Sequence, residues 1–247
     1  MMWEAELILA QDIAIQAGKF LLNSQSDLSQ SISSIDKDIK LKADIESEKL
    51  IIDHITKNSR YPILSEESGF VGGKLVDESS TYWILDPLDG SLNYNRGIPM
   101  ACVSIALWKG SEALLGVIYD FNREELFTRV VGEPLFLNSN IIKLETTARP
   151  KGESIIATGF PSGRSYDDAS LLKFVKMVQN YKKVRLLGSA AISLAWVACG
   201  RFDAYSEEGI YIWDIAAGLA LMEPDNYVLN KLKDSSHRYF VLAERNT

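Results

Sequence analysis

The run Trp83-Ile84-Leu85-Asp86-Pro87-Leu88-Asp89-Gly90-Ser91-Leu92-Asn93 constrains this chain more than any other stretch. Trp83, Ile84 and Leu85 have the bulky apolar character of a buried strand. Asp86-Pro87 is expected to end that strand, because proline has no N–H to give a sheet. Asp89-Gly90 are turn formers, and Ser91 can open a helix whose first N–H groups have no partner inside it. One turn therefore carries two carboxylates and a helix start, a place for a divalent cation beside a site for an anion. The plainer alternative is a strand end with Asp89 as a helix cap.

Two further acidic positions fall at comparable boundaries. Ser65-Glu66-Glu67-Ser68-Gly69 follows a short apolar run, and Trp213-Asp214-Ile215-Ala216-Ala217-Gly218 lies far downstream. Taken with these, the segment Asp86 to Asn93 resembles the first signature of the inositol monophosphatase family, with Ser91 where threonine is usual. Trp213-Asp214 with Ala216-Ala217-Gly218 resembles the second. Leu187-Gly188-Ser189-Ala190-Ala191 and Cys199-Gly200-Arg201-Phe202-Asp203-Ala204 also match family segments, so the similarity runs from about Lys42 to Gly218.

The chain has 247 residues, enough to bury a large core. Its formal net charge of −7 argues against a nucleic-acid-binding surface. That acidity is a difficulty for any enzyme of anionic esters, and bound divalent metal would remove it by reversing the local sign. Cys102 and Cys199, the two cysteines, sit in apolar surroundings and are expected to be reduced core residues of a cytoplasmic protein, although a disulfide between them is open at this level. The start of the chain, with Glu4 and Glu6, lacks the basic-then-apolar pattern of a signal peptide. No uninterrupted apolar run has membrane-spanning length; Ala190 to Cys199 fits a buried helix.

Periodicity supplies a frame. Glu4 to Leu22 reads as an amphipathic helix, Asp27 to Asp36 as a polar mobile loop, and Ile45 to Ile55 as a second helix with Asp44 as a candidate N-cap. Tyr61 to Leu64 reads as a short strand. Ala101 to Trp108, Ala113 to Tyr119 and Glu125 to Val131 have the spacing of an antiparallel meander. Then follow a buried strand at Ser154 to Pro161, a helix Ala169 to Gln179, a strand Lys183 to Leu187 and a helix Ala190 to Cys199. Phe202 to Glu207 reads as a strand ending in acid, Ile215 to Met222 as the last helix with Asp214 as its cap, and Tyr227 to Leu229 and Tyr239 to Ala243 as closing strands. Beyond Glu223 the family match weakens.

The resemblance implies an α+β fold, a layered α-β-α-β-α sandwich, as a single phosphatase domain with halves at about 1–145 and 146–247. It implies a Mg²⁺-dependent, lithium-sensitive phosphomonoesterase with two or three ions held by Glu66, Asp86, the Leu88 carbonyl, Asp89 and Asp214. Ser91, oriented by Asp44, would take the proton of a water attacking the ester on the Glu66 side. Gly90 and Ser91 would hold the phosphate, and Gly188, Ser189, Ala190, Glu207 and Asp214 the rest of the substrate. Glu67 would stand behind Glu66, and Asp38 would belong to the loop that closes over the metals. The implied substrate is a small phosphate monoester, inositol 1-phosphate and also fructose 1,6-bisphosphate, and the implied assembly a homodimer. Alternatives are a 3′(2′),5′-bisphosphate nucleotidase and a catalytically weak binding protein on the same fold. Zinc or Ser-His-Asp chemistry lacks parts, since His54 and His237 are the two histidines of the chain.

Overall fold

The computed structural model describes residues 2–29, 31–35, 38–72, 79–143, 149–160, 166–233 and 237–245, with backbone alone for 31–35 and 38–39. Helix α1 (Glu4–Asn23) runs into a single turn, α2 (Gln25–Leu28), and a hairpin of β1 (Ser31–Ile35) and β2 (Asp38–Leu41). Residues 27–28 and 31–35 are therefore regular where their polar, aperiodic sequence suggests a loop, and Gln30 and Asp36 lie outside the described residues. Asp38 opens β2, and its side chain lies outside the described residues. Helix α3 (Lys42–Asn58) follows.

A large sheet is built from β3 (Ile63–Ser65), β4 (Gly69–Val71), β5 (Thr81–Asp89), β6 (Cys102–Lys109), β7 (Glu112–Asp120), β8 (Glu125–Val130), β9 (Phe136–Leu137) and β10 (Asn140–Ile141). Its spatial order is β10-β9-β8-β7-β6-β5-β3-β4. The short helix α4 (Ser91–Asn95) sits between β5 and β6. A second sheet follows from β11 (Ile155–Thr158), helix α5 (Asp168–Val178), β12 (Lys183–Arg185), helix α6 (Ala190–Ala198), β13 (Ala204–Tyr211), helix α7 (Ile212–Ala220), β14 (Tyr227–Lys231) and β15 (Arg238–Glu244). Its order is β12-β11-β13-β15-β14.

The layers follow from which face each strand residue serves. Trp83 and Leu85 of β5 enter a core with Ile13, Ala14 and Ala17 of α1 and Ile51 and Ile55 of α3. Ile84, one residue out of phase, enters the opposite core with Leu194 of α6, Ile215 and Leu219 of α7, and Tyr205 and Val241 of the second sheet. Met177 of α5 covers the outer face of that sheet beside Ile156 and Ala204. The sequence of layers is thus α1/α3, large sheet, α6/α7, small sheet, α5, the α-β-α-β-α sandwich the resemblance implies. Because β5 is covered on both faces, it reads as a continuous apolar run, and each large side chain it buries contributes about 1.5–3 kcal/mol. Helix α6 lies between the sheets and is apolar nearly all round.

The boundaries nearest the cavity differ from the sequence expectation, each for a physical reason. β5 runs through Pro87 to Asp89, because its pairing with β6 shifts register between Asp86 and Asp89 and the proline sits in that irregularity without owing the ladder an N–H. β13 continues four residues beyond Glu207, with its own shift between Glu208 and Ile210, so Glu207 lies within the strand and is buried. α3 and α7 both start two residues before the acid expected to cap them. Asp44 and Asp214 each occupy the third helical position and reach back to the N–H before the helix, Leu41 N at 2.5 Å and Tyr211 N at 3.2 Å. Cys102 and Cys199 are both free thiols.

Gly116 of β7 is where the central helix layer touches the sheet backbone to backbone: a Cβ there would lie 2.4 Å from the Ala217 carbonyl oxygen. Gly116→Ala is expected to push α7 outward and to destabilise the protein by about 1–3 kcal/mol, read as a lowered Tm in thermal melts. An unchanged Tm would mean that α7 can shift without cost.

Candidate active site

Glu66, Asp86 and Asp214 arrive from three rigid elements. β3 pairs in parallel with β5, and the pairing carries into the next turn, where Glu66 N donates to the Leu85 carbonyl at 3.3 Å. Glu66 is thereby set beside Asp86. Asp86 keeps the phase of Ile84 and so faces the α6/α7 layer, where Asp214 occupies the first turn of α7. Among the described residues, one oxygen from each of Glu66, Asp86 and Asp214 lies within 4.8 Å of the others.

Burial raises the proton affinity of all three well above the ordinary carboxylate value. The Asp86 charge raises Glu66 and Asp214 further, and the Asp89 charge raises Asp86. Such a set is strained by its own repulsion unless protons or cations are present. Oxygen donors, partial openness to the cavity and surplus negative charge are what a hard divalent cation requires, so the residues present fit Mg²⁺. Leu88 N donates to Asp86 Oδ1 at 2.9 Å and fixes that carboxylate's orientation.

Asp89 lines the same cavity, of about 330 Å³, but its Oδ2 is turned to the start of α6. It accepts from Ser189 Oγ at 2.6 Å and from Ala191 N at 2.7 Å. Burial pushes its pKa up to about 6, with Ser189 and the α6 amides holding it down. Ser189 lines the cavity as well, and its hydroxyl also accepts from Ile192 N at 3.2 Å as the cap of α6.

Ser91 and Asp44 form a hydroxyl–carboxylate pair at one wall. Ser91 Oγ lies 2.7 Å from Asp44 Oδ1 and 3.0 Å from the Leu88 carbonyl oxygen, two acceptors for a single proton. Asp44 is buried, which pushes its pKa up to about 6 against the opposing bonds from Leu41 N and Ser91. Gly90 precedes Ser91 at φ +91°, and a Cβ there would meet the Met100 carbonyl oxygen at 2.6 Å, so glycine is needed both for conformation and for space. Gly188 and Ala190 border the cavity opposite. Asn93 ties the two sides together: its Nδ2 donates to the carbonyls of Met100 and Leu187, each at 2.8 Å. Glu207 forms the far wall, its Oε2 accepting from Tyr205 Oη at 2.7 Å. Glu67 pairs with Lys40 of β2.

Sequence reasoning missed Asn93, Tyr205, Ser47 and Glu48 as contributors. Glu48 did leave a signal: it is charged, yet shares the buried stripe of α3 with Ile51 and Ile55.

Five layers closing on a cavity with a cluster of acids that could hold metal and a hydroxyl–carboxylate pair are features that suit a phosphatase. Residues 3–245 match the profile of the inositol monophosphatase family, and the chain belongs to that family. It is 39% identical to a Nus factor SuhB of Xylella fastidiosa over 87% of this chain and 78% of that protein. It is 36% identical to an inositol-1-monophosphatase of Caulobacter vibrioides over 81% and 78%. The solved inositol monophosphatase of Anabaena superposes with a TM-score of 0.82 at 32% identity, covering 100% of this chain and 92% of that one. No helix among the described residues is long and apolar enough to cross a membrane.

The raised carboxylates give a signed prediction. Because the folded state holds protons that the unfolded chain releases, stability falls as pH rises from the ordinary carboxylate range through the raised values. Chelated protein is expected to melt at a lower temperature at about pH 7.5 than at about pH 5.5, and Mg²⁺ to raise Tm more at the higher pH. Thermal melts with chelator and with Mg²⁺ measure both. A Mg²⁺ effect independent of pH would mean that the cluster is not where the ion binds.

Proposed function

We propose that the protein is a Mg²⁺-dependent phosphomonoesterase acting on inositol 1-phosphate and, with the same residues, on fructose 1,6-bisphosphate. The observation that carries this reading is the meeting of Glu66, Asp86 and Asp214 within one cavity with the Ser91–Asp44 pair. A binding protein has no use for a hydroxyl coupled to a buried base.

Glu66, Asp86, Asp214, the Leu88 carbonyl and the remaining Asp89 oxygen would hold two or three Mg²⁺ ions. When bound, Mg²⁺ supplies charge neutralisation for the ester, activation of water and stabilisation of the leaving alkoxide. The chain's own residues do the rest. The Gly90 and Ser91 amides hold the phosphate, and because α4 has five residues it is these local N–H groups, rather than a long helix dipole, that do so. Ser91 Oγ takes the attacking water's proton and passes its own to Asp44, whose burial makes it a better base than an exposed aspartate. Glu207, held by Tyr205, accepts hydrogen bonds from substrate hydroxyls, and the Ala190 backbone borders the same group. No covalent phosphoenzyme is required, and Ser91 is not the nucleophile.

The test is phosphate release from inositol 1-phosphate, fructose 1,6-bisphosphate and adenosine 3′,5′-bisphosphate, with Mg²⁺ and with added Li⁺. Turnover of the first two, inhibited by Li⁺, is expected. Preference for the third would make the protein a nucleotidase, and inactivity on all three would leave a binding protein.

Two substitutions separate the roles. Asp44→Asn is expected to lower kcat by about 10²–10⁴-fold with little change in KM, and to abolish an acid limb centred near the Asp44 pKa of about 6. Retention of that limb would assign it to another group. Asp214→Asn is expected to demand far more Mg²⁺ for half-maximal rate, and full activity at low Mg²⁺ would remove Asp214 from the ion's surroundings.

A further inference from the structure

Helix α3 offers three polar side chains along one buried stripe. Asp44, Ser47 and Glu48 are spaced three and four residues apart and are 1%, 0% and 4% exposed. Asp44 and Ser47 hold the passage from β5 into α4, and Glu48 holds another segment. Asp44 accepts from Ser91 at 2.7 Å, and Ser47 Oγ donates to the Pro87 carbonyl oxygen at 3.0 Å. Glu48 gathers the turn after β3. Its Oε1 accepts from Glu67 N at 3.1 Å, from Ser68 N at 3.0 Å and from the Ser65 hydroxyl, and its Oε2 accepts from Ser68 Oγ at 2.5 Å.

Four donors from residues 65, 67 and 68 therefore converge on one carboxylate and enclose Glu66 from both sides. Glu66's own N–H is tied to β5 through the Leu85 carbonyl. The backbone that aims Glu66 is thus held by β5 on one flank and by Glu48 on the other. Packing alone does not call for an acid here, since Ile51 and Ile55 fill the same stripe one and two turns further along. Burying a carboxylate is costly unless donors surround it, and here every donor comes from the turn that carries Glu66.

We propose that Glu48 is a positioning residue for the metal cluster: by gathering Ser65, Glu67 and Ser68 it sets how far Glu66 reaches toward Asp86 and Asp214, and so it sets metal affinity rather than turnover. The proposal rests on the reading of that cluster as a Mg²⁺ site. Groups that orient metal ligands typically account for 10–100-fold in affinity.

Glu48→Gln preserves shape while removing the charge and turning an amide N–H₂ toward groups that are themselves donors. Mg²⁺ binding is followed on the full chain without substrate, by the Mg²⁺-induced rise in Tm and by calorimetric titration, and then by the Mg²⁺ dependence of phosphate release. The half-saturating Mg²⁺ concentration is expected to rise by about 10-fold or more in all three, with kcat at saturating Mg²⁺ within about 2-fold of the parent. Ile51→Val, on the same stripe, controls for stability: it lowers Tm and leaves the Mg²⁺ midpoint in place. Should Glu48→Gln fail to fold, Ser68→Ala removes one hydroxyl donor and is expected to raise the midpoint by about 3-fold. A lowered Tm with the parental Mg²⁺ midpoint overturns the proposal, as does a loss of kcat that saturating Mg²⁺ does not restore. If the parent chain itself shows no response to Mg²⁺, the metal reading falls and this proposal with it; a parental response with an unmoved midpoint in the variants overturns the positioning role alone.

Discussion

Mutual repulsion among carboxylates crowded into one partly buried cavity is the constraint around which the rest of this molecule is arranged. One oxygen from each of Glu66, Asp86 and Asp214 lies within 4.8 Å of the others, in surroundings where water screens little. Side chains on flexible backbone would swing apart. Here each is carried on a stiff element with a local hydrogen bond to orient it: Asp86 on β5 with Leu88 N, Asp214 on the first turn of α7 with Tyr211 N, Glu66 on a turn grasped by α3. The fold supplies the rigidity, and the surrounding apolar layers resist the push.

The two signature aspartates of β5 serve different neighbours because the strand is irregular between them. Asp86 faces the cluster, while Asp89, past the register shift, accepts from Ser189 and Ala191 at the start of α6 and ties the floor of the cavity to that wall. A regular strand would have aimed side chains three apart to opposite faces. The irregularity at Pro87 is what lets both carboxylates serve one cavity.

Much of this was legible in the sequence, and the parts that were not have physical reasons. The meander and the long helices showed through apolar period and turn residues, and the five layers and the roles of the acidic positions at strand and helix boundaries showed through the resemblance. The continuation of β5 beyond Pro87 did not, because a proline is compatible with a sheet only where an irregularity relieves it of donating, and irregularities leave no period. Asp44 and Asp214 read as caps because sequence shows an acid before an apolar run; which helical position it holds depends on where the preceding residue can turn. Glu48 was overlooked because its partners lie 17 to 20 residues away, beyond any local pattern, although a charge in an apolar stripe marks the place. The helical turn at 27–28 and the strand at 31–35 leave no signal because they are short, polar and lack hydrophobic periodicity.

The bond from Ser189 to Asp89 spans 100 residues and that from Asn93 to the Leu187 carbonyl spans 94. Contacts of such separation come after local ones, since the intervening chain must be closed into a loop before they form. In chain order Glu66 and Asp86 leave the ribosome well before Asp214 does. A nascent chain therefore carries an incomplete acid set until the last third of the polypeptide has been made and docked.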